Sequence, residues 1–295
     1  MEDVLINCII FIVAVFFYFN LIFHFKKSED LEIYEMDYQN NNQLQTVCDL
    51  KQPILFSGID EKLPSEFLNA VSYLFQNLEI EKIKSNFDIY IKDNIILNPK
   101  KNDVETSSST ANEKYLEDEN KSFFLPFLSG KVFIKSDSKS RYYSEENYEF
   151  IEEENFSKYY YKLDSFLKPN FIINTNYDYC FGSKDCITPF KFHKNYRQFF
   201  IINENKISIK LASFKNSKYL NYSKQNNTCY INVWNPSSKK DKSIVEKIKF
   251  LEFDILPGFI LYIPSYWWFS IKYHENSVLH TIAYNSAMNL LANVF

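Results

Sequence analysis

Apolar positions along the chain fall into three regimes. The first is continuous: Val4 to Phe23 reads VLINCIIFIVAVFFYFNLIF, uncharged, with Asn7 and Asn20 its only strongly polar members. At ~1.5 Å rise per residue, a run of about 20 residues crosses the ~30 Å hydrocarbon core of a bilayer. The second regime has helical spacing. Leu63-Pro-Ser-Glu opens a helix to about Leu78, with Phe67, Leu68, Val71, Leu74, Phe75 and Leu78 on one face, and Tyr143 to Leu167 carries similar patterning up to Lys168-Pro169. The third regime is short and strand-like: Lys51–Gly58 (KQPILFSG), a strand or strand pair over Phe87–Leu97, and many short runs between Asn170 and Ser286. KISIKLASF alternates strictly, setting Ile207, Ile209 and Leu211 on one face and Ser208, Lys210 and Ala212 on the other. LEFDILPG and FILYIPSYWWFSI complete the clearest strands. The expected fold is mainly β, an antiparallel sandwich or barrel with helical decoration, behind one N-terminal transmembrane helix.

Domain boundaries follow from the same pattern. Residues 1–27 form the anchor, the acidic and Asn/Gln-rich stretch 28–50 a juxtamembrane linker or a lead-in to the domain, and 51–295 one domain. Residues 98–122 are almost devoid of apolar side chains and read as a disordered insertion. A cleavable signal peptide has a basic start, a shorter apolar core and a small-residue cleavage site. Here Glu2-Asp3 precede the run, and Phe, Tyr and Leu fill its second half, so a retained anchor is expected. His24, Lys26 and Lys27 follow it, which by the positive-inside tendency turns the domain toward the cytosol. Sequons at Asn120, Asn155, Asn221 and Asn226 would suit the opposite face, but arise readily in an Asn-rich chain.

Composition narrows the function classes. The chain holds 29 Phe and 22 Tyr against 4 Gly, and Ile, Asn and Lys are also frequent. All of these except Gly have AT-rich codons, so the bias reads as genomic, of the kind seen in large DNA viruses or AT-rich protists. A net charge of −4 with no basic-aromatic stripe excludes nucleic acid as an expected partner. Five cysteines, among them the near pair Cys180 and Cys186, are too few for a disulfide scaffold and lack zinc-ligand spacing, so free thiols are expected. Tyr159, Tyr160 and Tyr161 read as helix packing. No phosphate-binding glycine loop and no nucleophile elbow occurs.

Three segments carry a family resemblance. LPGFILYIPSYWWFSI (Leu256–Ile271) closely resembles the end of the double-stranded β-helix (jelly-roll) of JmjC and cupin-like 2-oxoglutarate oxygenases, above all the asparaginyl-hydroxylase type, which read P-G-D-x-L-Y-I-P-x-x-W-W-H there. ITPFKFHKNYRQFFIINENK (Ile187–Lys206) resembles the family's T-P-x-H-x-D, strand and co-substrate lysine, and KQPILFSG resembles its R-P-x-x-x-x-G opening. The resemblance implies Fe(II) on two histidines and a carboxylate, with 2-oxoglutarate beside it. In this chain the three ligand positions hold Lys191, His193 and Phe269, and Phe259 stands where the family has Asp after Gly258. An ammonium repels a divalent cation and a phenyl ring has no lone pair, so no metal and no cofactor is expected. Thr188 and Lys206 match the family's 2-oxo-acid-binding hydroxyl and ammonium. With Lys191 and Asn285 (or Tyr284) they would form a pocket for a 2-oxo acid or other anion. Trp267 and Trp268 would line its rim, or pack one in the core and one at the barrel mouth. A replacement metal site of His193, His274 and His280 lacks supporting carboxylate spacing.

The leading expectation is thus a membrane-anchored, catalytically inactive binding or structural module with a protein partner. An active Fe(II)- and 2-oxoglutarate-dependent hydroxylase or demethylase-like oxygenase with unusual ligands is one alternative. A metal-free anion pocket is the other.

Overall fold

The computed structural model describes residues 2–57, 86–91 and 122–293. The expected helix at 63–78, most of the expected insertion at 98–122, Asn120 and the second half of the strand expected at 87–97 lie outside them. The apolar run forms α1 (Glu2–Phe25), one helix long and apolar enough to cross a membrane over Val4–Phe25, with none of its 18-residue apolar stretch buried in the protein.

Residues 28–50 are a lead-in that folds with the domain and not a free linker. They supply β1 (Tyr34–Asp37), which pairs in parallel with β2 (Ile54–Ser57), and α2 (Asn41–Cys48). The Asn40 side chain caps α2 by accepting from Gln43 N at 2.9 Å, and Leu44 and Cys48 are fully buried. The polar composition concealed a short amphipathic helix whose buried face is only two side chains wide.

After β3 (Asn86–Ile91) and β4 (Ser122–Pro126) comes α3 (Phe127–Ser136), then β5 (Tyr142–Ser144). The helix expected over 143–167 is two helices, α4 (Tyr148–Glu153) and α5 (Ser157–Leu167). Asn155, at φ 57°, breaks them, and α5 ends where Pro169 forces Lys168 into an extended conformation.

The remainder is β6 (Ile172–Gly182), β7 (Phe190–Lys191), β8 (Arg197–Glu204), β9 (Ile207–Ala212), a 3₁₀ turn (Phe214–Tyr219) and β10 (Thr228–Cys229). Then follow α6 (Lys239–Val245), β11 (Leu251–Ile255), β12 (Ile260–Tyr262), β13 (Trp268–Tyr273), β14 (Val278–Ser286) and α7 (Ala287–Ala292). FILYIPSYWWFSI is therefore two strands, split by a turn in which Tyr266 takes φ 67°.

One sheet runs β1-β2-β12-β8-β14-β6-β5-β3-β4 and the other β10-β7-β13-β9-β11. Period-2 alternation sorts the side chains into layers. Ile207, Ile209 and Leu211 of β9 join Phe200, Ile202, Leu261 and Leu279 in the core between the sheets. Their neighbours Phe199, Ile201, Tyr262 and Ile282 face the opposite way and pack under α2, α3 and α5. A third cluster, with Phe190, Phe192 and Trp268, covers the outer face of the smaller sheet. The result is a mixed helix and strand fold with two facing sheets.

Two glycines have definite backbone roles. Gly258 turns the chain into β12 at φ 89°. At Gly182 an added Cβ would lie 2.4 Å from Cδ2 of Tyr273, a ring that is 1% exposed in the inter-sheet core. Gly182→Ala should therefore cost about 1–3 kcal/mol by overpacking. Urea unfolding checks this, and an unchanged midpoint would mean that the ring can yield.

Candidate functional site

At one end of the sandwich the inner faces do not meet, leaving a cavity of about 160 Å³. Inward positions of β6 (Asn176, Asp178, Cys180) and β14 (Leu279, Thr281, Ala283) form one wall. The other wall is Lys191, His193, Phe269 and Ile271, with Glu145, Glu146 and Tyr148 closing the mouth.

Lys191 and Phe269 face each other as direct partners on β7 and β13, and the His193 and Phe269 ring centres are 6.3 Å apart. Lys191 Nζ lies 2.5 Å from Glu145 Oε1 and 5.8 Å from the centre of the Phe269 ring. Burial pulls the Lys191 pKa down, but the Glu145 and Glu146 carboxylates outweigh it and hold the pKa above the ordinary lysine value. His193 Nε2 is 2.9 Å from the Ile263 carbonyl, which can only accept, so Nε2 carries the proton. Its buried Nδ1 has no hydrogen-bond partner among the described residues. Burial, helped by the Lys191 charge, pushes the His193 pKa down to about 3, so the ring is neutral at pH 7.

These residues do not fit an Fe(II) centre. Of the three family positions, one holds an ion-paired ammonium, one a phenyl ring, and one an imidazole with a single lone pair. Among the described residues no group of three or more His, Cys, Asp or Glu side chains is placed to hold a metal. The three histidines considered as a substitute site are apart: His280 bonds Tyr160 Oη at 2.7 Å behind β14, and His274 bonds Ser208 Oγ at 2.8 Å.

The expected anion pocket does not assemble either. Thr188 is 1% exposed and serves the β-structure, its Oγ1 accepting from Ile271 N at 2.9 Å and its carbonyl from Ser270 Oγ at 2.6 Å. Lys206 sits at the β8–β9 turn, paired with Asp254 at 2.6 Å, and does not line the cavity. Asn285 is buried on β14 beyond Ala283, and it too is absent from the lining. The pocket's formal charge also opposes an anion, since Glu145, Glu146 and Asp178 outnumber Lys191. Neither tryptophan forms a rim. Trp267 is 1% exposed between the sheets, while Trp268 stacks on Phe190 in the outer cluster and donates to Ser217 Oγ at 2.8 Å.

Asp178 was not anticipated. Its carboxylate accepts from Glu146 N (2.6 Å), Asn147 N (2.8 Å), Tyr179 N (2.8 Å) and Cys180 Sγ (3.2 Å), pinning the loop that carries Glu145. Burial nevertheless raises its pKa. The available signal was the alternation in NTNYDYCFG, where Asn176 and Asp178 share a face opposite Tyr177, Tyr179 and Phe181. A polar inner face on an otherwise apolar strand marks a cavity wall. Glu145 had no such signal, being one acid among many between Glu145 and Glu154.

The five cysteines are free thiols, all buried except Cys8 on α1. Tyr160 is fully buried in α5 and stacks on Tyr177, its helix-packing role, whereas Tyr161 is 59% exposed. No protein-family pattern matches the chain, and no curated protein matches it.

Proposed function

We propose that this chain is a membrane-anchored, non-catalytic relative of the JmjC and cupin-like 2-oxoglutarate oxygenases, working as a binding or structural module. In this reading the two sheets are a double-stranded β-helix whose metal position has been taken over by an ion pair and an aromatic ring. What supports the fold is strand order. The eight strands β6–β9 and β11–β14 lie as β12-β8-β14-β6 in one sheet and β7-β13-β9-β11 in the other. This is the interleaving expected when a chain winds between two sheets and the first and last of its strands are neighbours.

The observation that carries the functional half is the Lys191–Glu145 pair at 2.5 Å, beside Phe269 and neutral His193 in one cavity. A facial triad needs three donors facing open coordination positions. Of the three positions Lys191, His193 and Phe269, only His193 offers a donor, and it lies beside a fixed positive charge. The module is held by α1, with the domain on the cytosolic face according to Lys26 and Lys27.

Titration of the purified full chain with Fe(II) or Mn(II) should show no stoichiometric metal and no 2-oxoglutarate turnover. The combined reversion Lys191→His, His193→Asp and Phe269→His should gain metal binding by calorimetry if the scaffold is of this family. Stoichiometric metal in the unaltered protein, lost on His193→Gln, would overturn the non-catalytic reading in favour of a hydroxylase. Failure of the folded triple variant to bind metal would overturn the family reading.

A further inference from the structure

Outside α1, several of the large apolar side chains that remain exposed gather at one end of the domain. Phe171 is 92% exposed and has a left-handed backbone at φ 59°. That conformation is unfavourable for a non-glycine residue, and here it holds a phenyl ring out of the protein. Ile173, 64% exposed, follows at the start of β6. The β6–β14 register sets Ile172 opposite Ser286, the residue that caps α7. Leu290 and Leu291 on α7 are 38% and 47% exposed.

The same end receives α1. The two helices α1 and α7 are in contact, and the last turn of α1 packs directly on the domain. His24 is 3% exposed against Tyr266, with ring centres 5.9 Å apart, and Lys27 Nζ sits 3.6 Å from the centre of the Phe214 ring. Lys51, 2% exposed, brings its Nζ to 4.9 Å from the centre of the Phe23 ring. The end of α1 is thereby clamped to the body of the protein.

We infer that this end of the domain seats directly on a phospholipid bilayer, with Phe171, Ile173, Leu290 and Leu291 entering the interfacial layer around the emerging α1. The inference rests on the membrane-anchor reading and adds a fixed orientation to it. The bilayer is the occupant because the patch is continuous with the helix that spans it. Apolar side chains beside such a helix gain burial in the acyl boundary without any folding cost. The orientation also brings the cavity close to the lipid surface. The Lys194 carbonyl accepts from Asn289 Nδ2 at 2.7 Å and Asn293 Nδ2 at 3.2 Å, and its neighbours His193 and Asn195 line the cavity.

The test uses the full chain with Cys8→Ser, reconstituted in phosphatidylcholine–phosphatidylserine nanodiscs. Phe171→Cys, Leu291→Cys and Glu275→Cys each carry an environment-sensitive fluorophore. Glu275 precedes the far end of β14, so it lies about 30 Å from α7 at ~3.3 Å per residue. Labels at 171 and 291 should shift to the blue and lose most of their emission to spin-labelled lipid, while the label at 275 stays water-like. All three positions are exposed, so each variant should melt with the parent. Water-like emission at 171 and 291 in protein that resists carbonate extraction would overturn the seated orientation and leave the anchor standing. Release of the protein by carbonate would overturn the anchor and the seating together.

Discussion

Acidification from pH 6.5 to pH 4.5 is expected to remove about 5 kcal/mol of folding stability through His193 and His280 alone. Both rings are buried, and burial pushes each pKa from the ordinary 6.5 down to about 3. The Lys191 and Lys51 charges add to the effect at His193, and Lys131 at His280. Between those pH values the unfolded chain binds two protons that the folded chain refuses. Stability is therefore fully present above 6.5 and falls by about 1.4 kcal/mol per pH unit per ring as pH drops toward 3. Asp178, whose pKa is raised, works in the opposite direction at the acid end and only softens the fall. Urea unfolding at pH 7, 5.5 and 4.5 measures the slope. The double variant His193→Gln, His280→Gln should make it markedly shallower, with His274, Asp137 and Asp254 supplying the remainder, and a parent slope already flat would refute the buried neutral state of both rings.

The second large effect is expected at the cavity mouth. Glu145→Ala strips the carboxylate from Lys191, whose side chain is only 18% exposed. The ammonium is then left against Phe269 and a neutral imidazole. Breaking one side of a fully buried pair costs about 3–5 kcal/mol; Glu146, the second carboxylate that raises the Lys191 pKa, remains and should keep the loss at the lower end of that range. Burial would no longer be opposed by Glu145, so the Lys191 pKa should fall. In the parent the raised pKa makes the pair's contribution complete at neutral pH, and it is lost only as pH climbs through that raised value. Lys191→Met should carry a comparable cost, since it strands the Glu145 carboxylate, whose side chain is 14% exposed, and the double variant should recover most of the loss. Additive costs in that cycle would show that the two charges do not stabilise each other.

Legibility followed the range of the interactions involved. The span of α1, the strand character of Ile207–Ala212 and the inward set Ile207, Ile209 and Leu211 are statements about neighbours along the chain. Hydrophobic periodicity encodes such neighbours directly. The three cavity-wall residues Lys191, His193 and Phe269 were also nameable, because their spacing in two of the resembling segments could be read along the chain, and the structure sets them around one cavity. Residues 28–50 stayed ambiguous between linker and lead-in because composition averages over β1 and α2, whose burial needs β2 and α5 as partners. Thr188 and Lys206 matched a motif by spacing alone, and their hydrogen bonds instead serve strand β13 and Asp254.

From the sequence alone came one apolar segment long enough for a bilayer, a β-rich body, and three positions unable to hold iron together. Only the tertiary structure decided that Glu145 neutralises Lys191 across 46 residues of chain, that Asp178 pins the loop carrying that glutamate, and that α1, α7 and Phe171 share one end. Each of these joins groups far apart along the chain. Their proximity depends on which sheet edge and which strand register the whole core selects, and no local pattern records that choice.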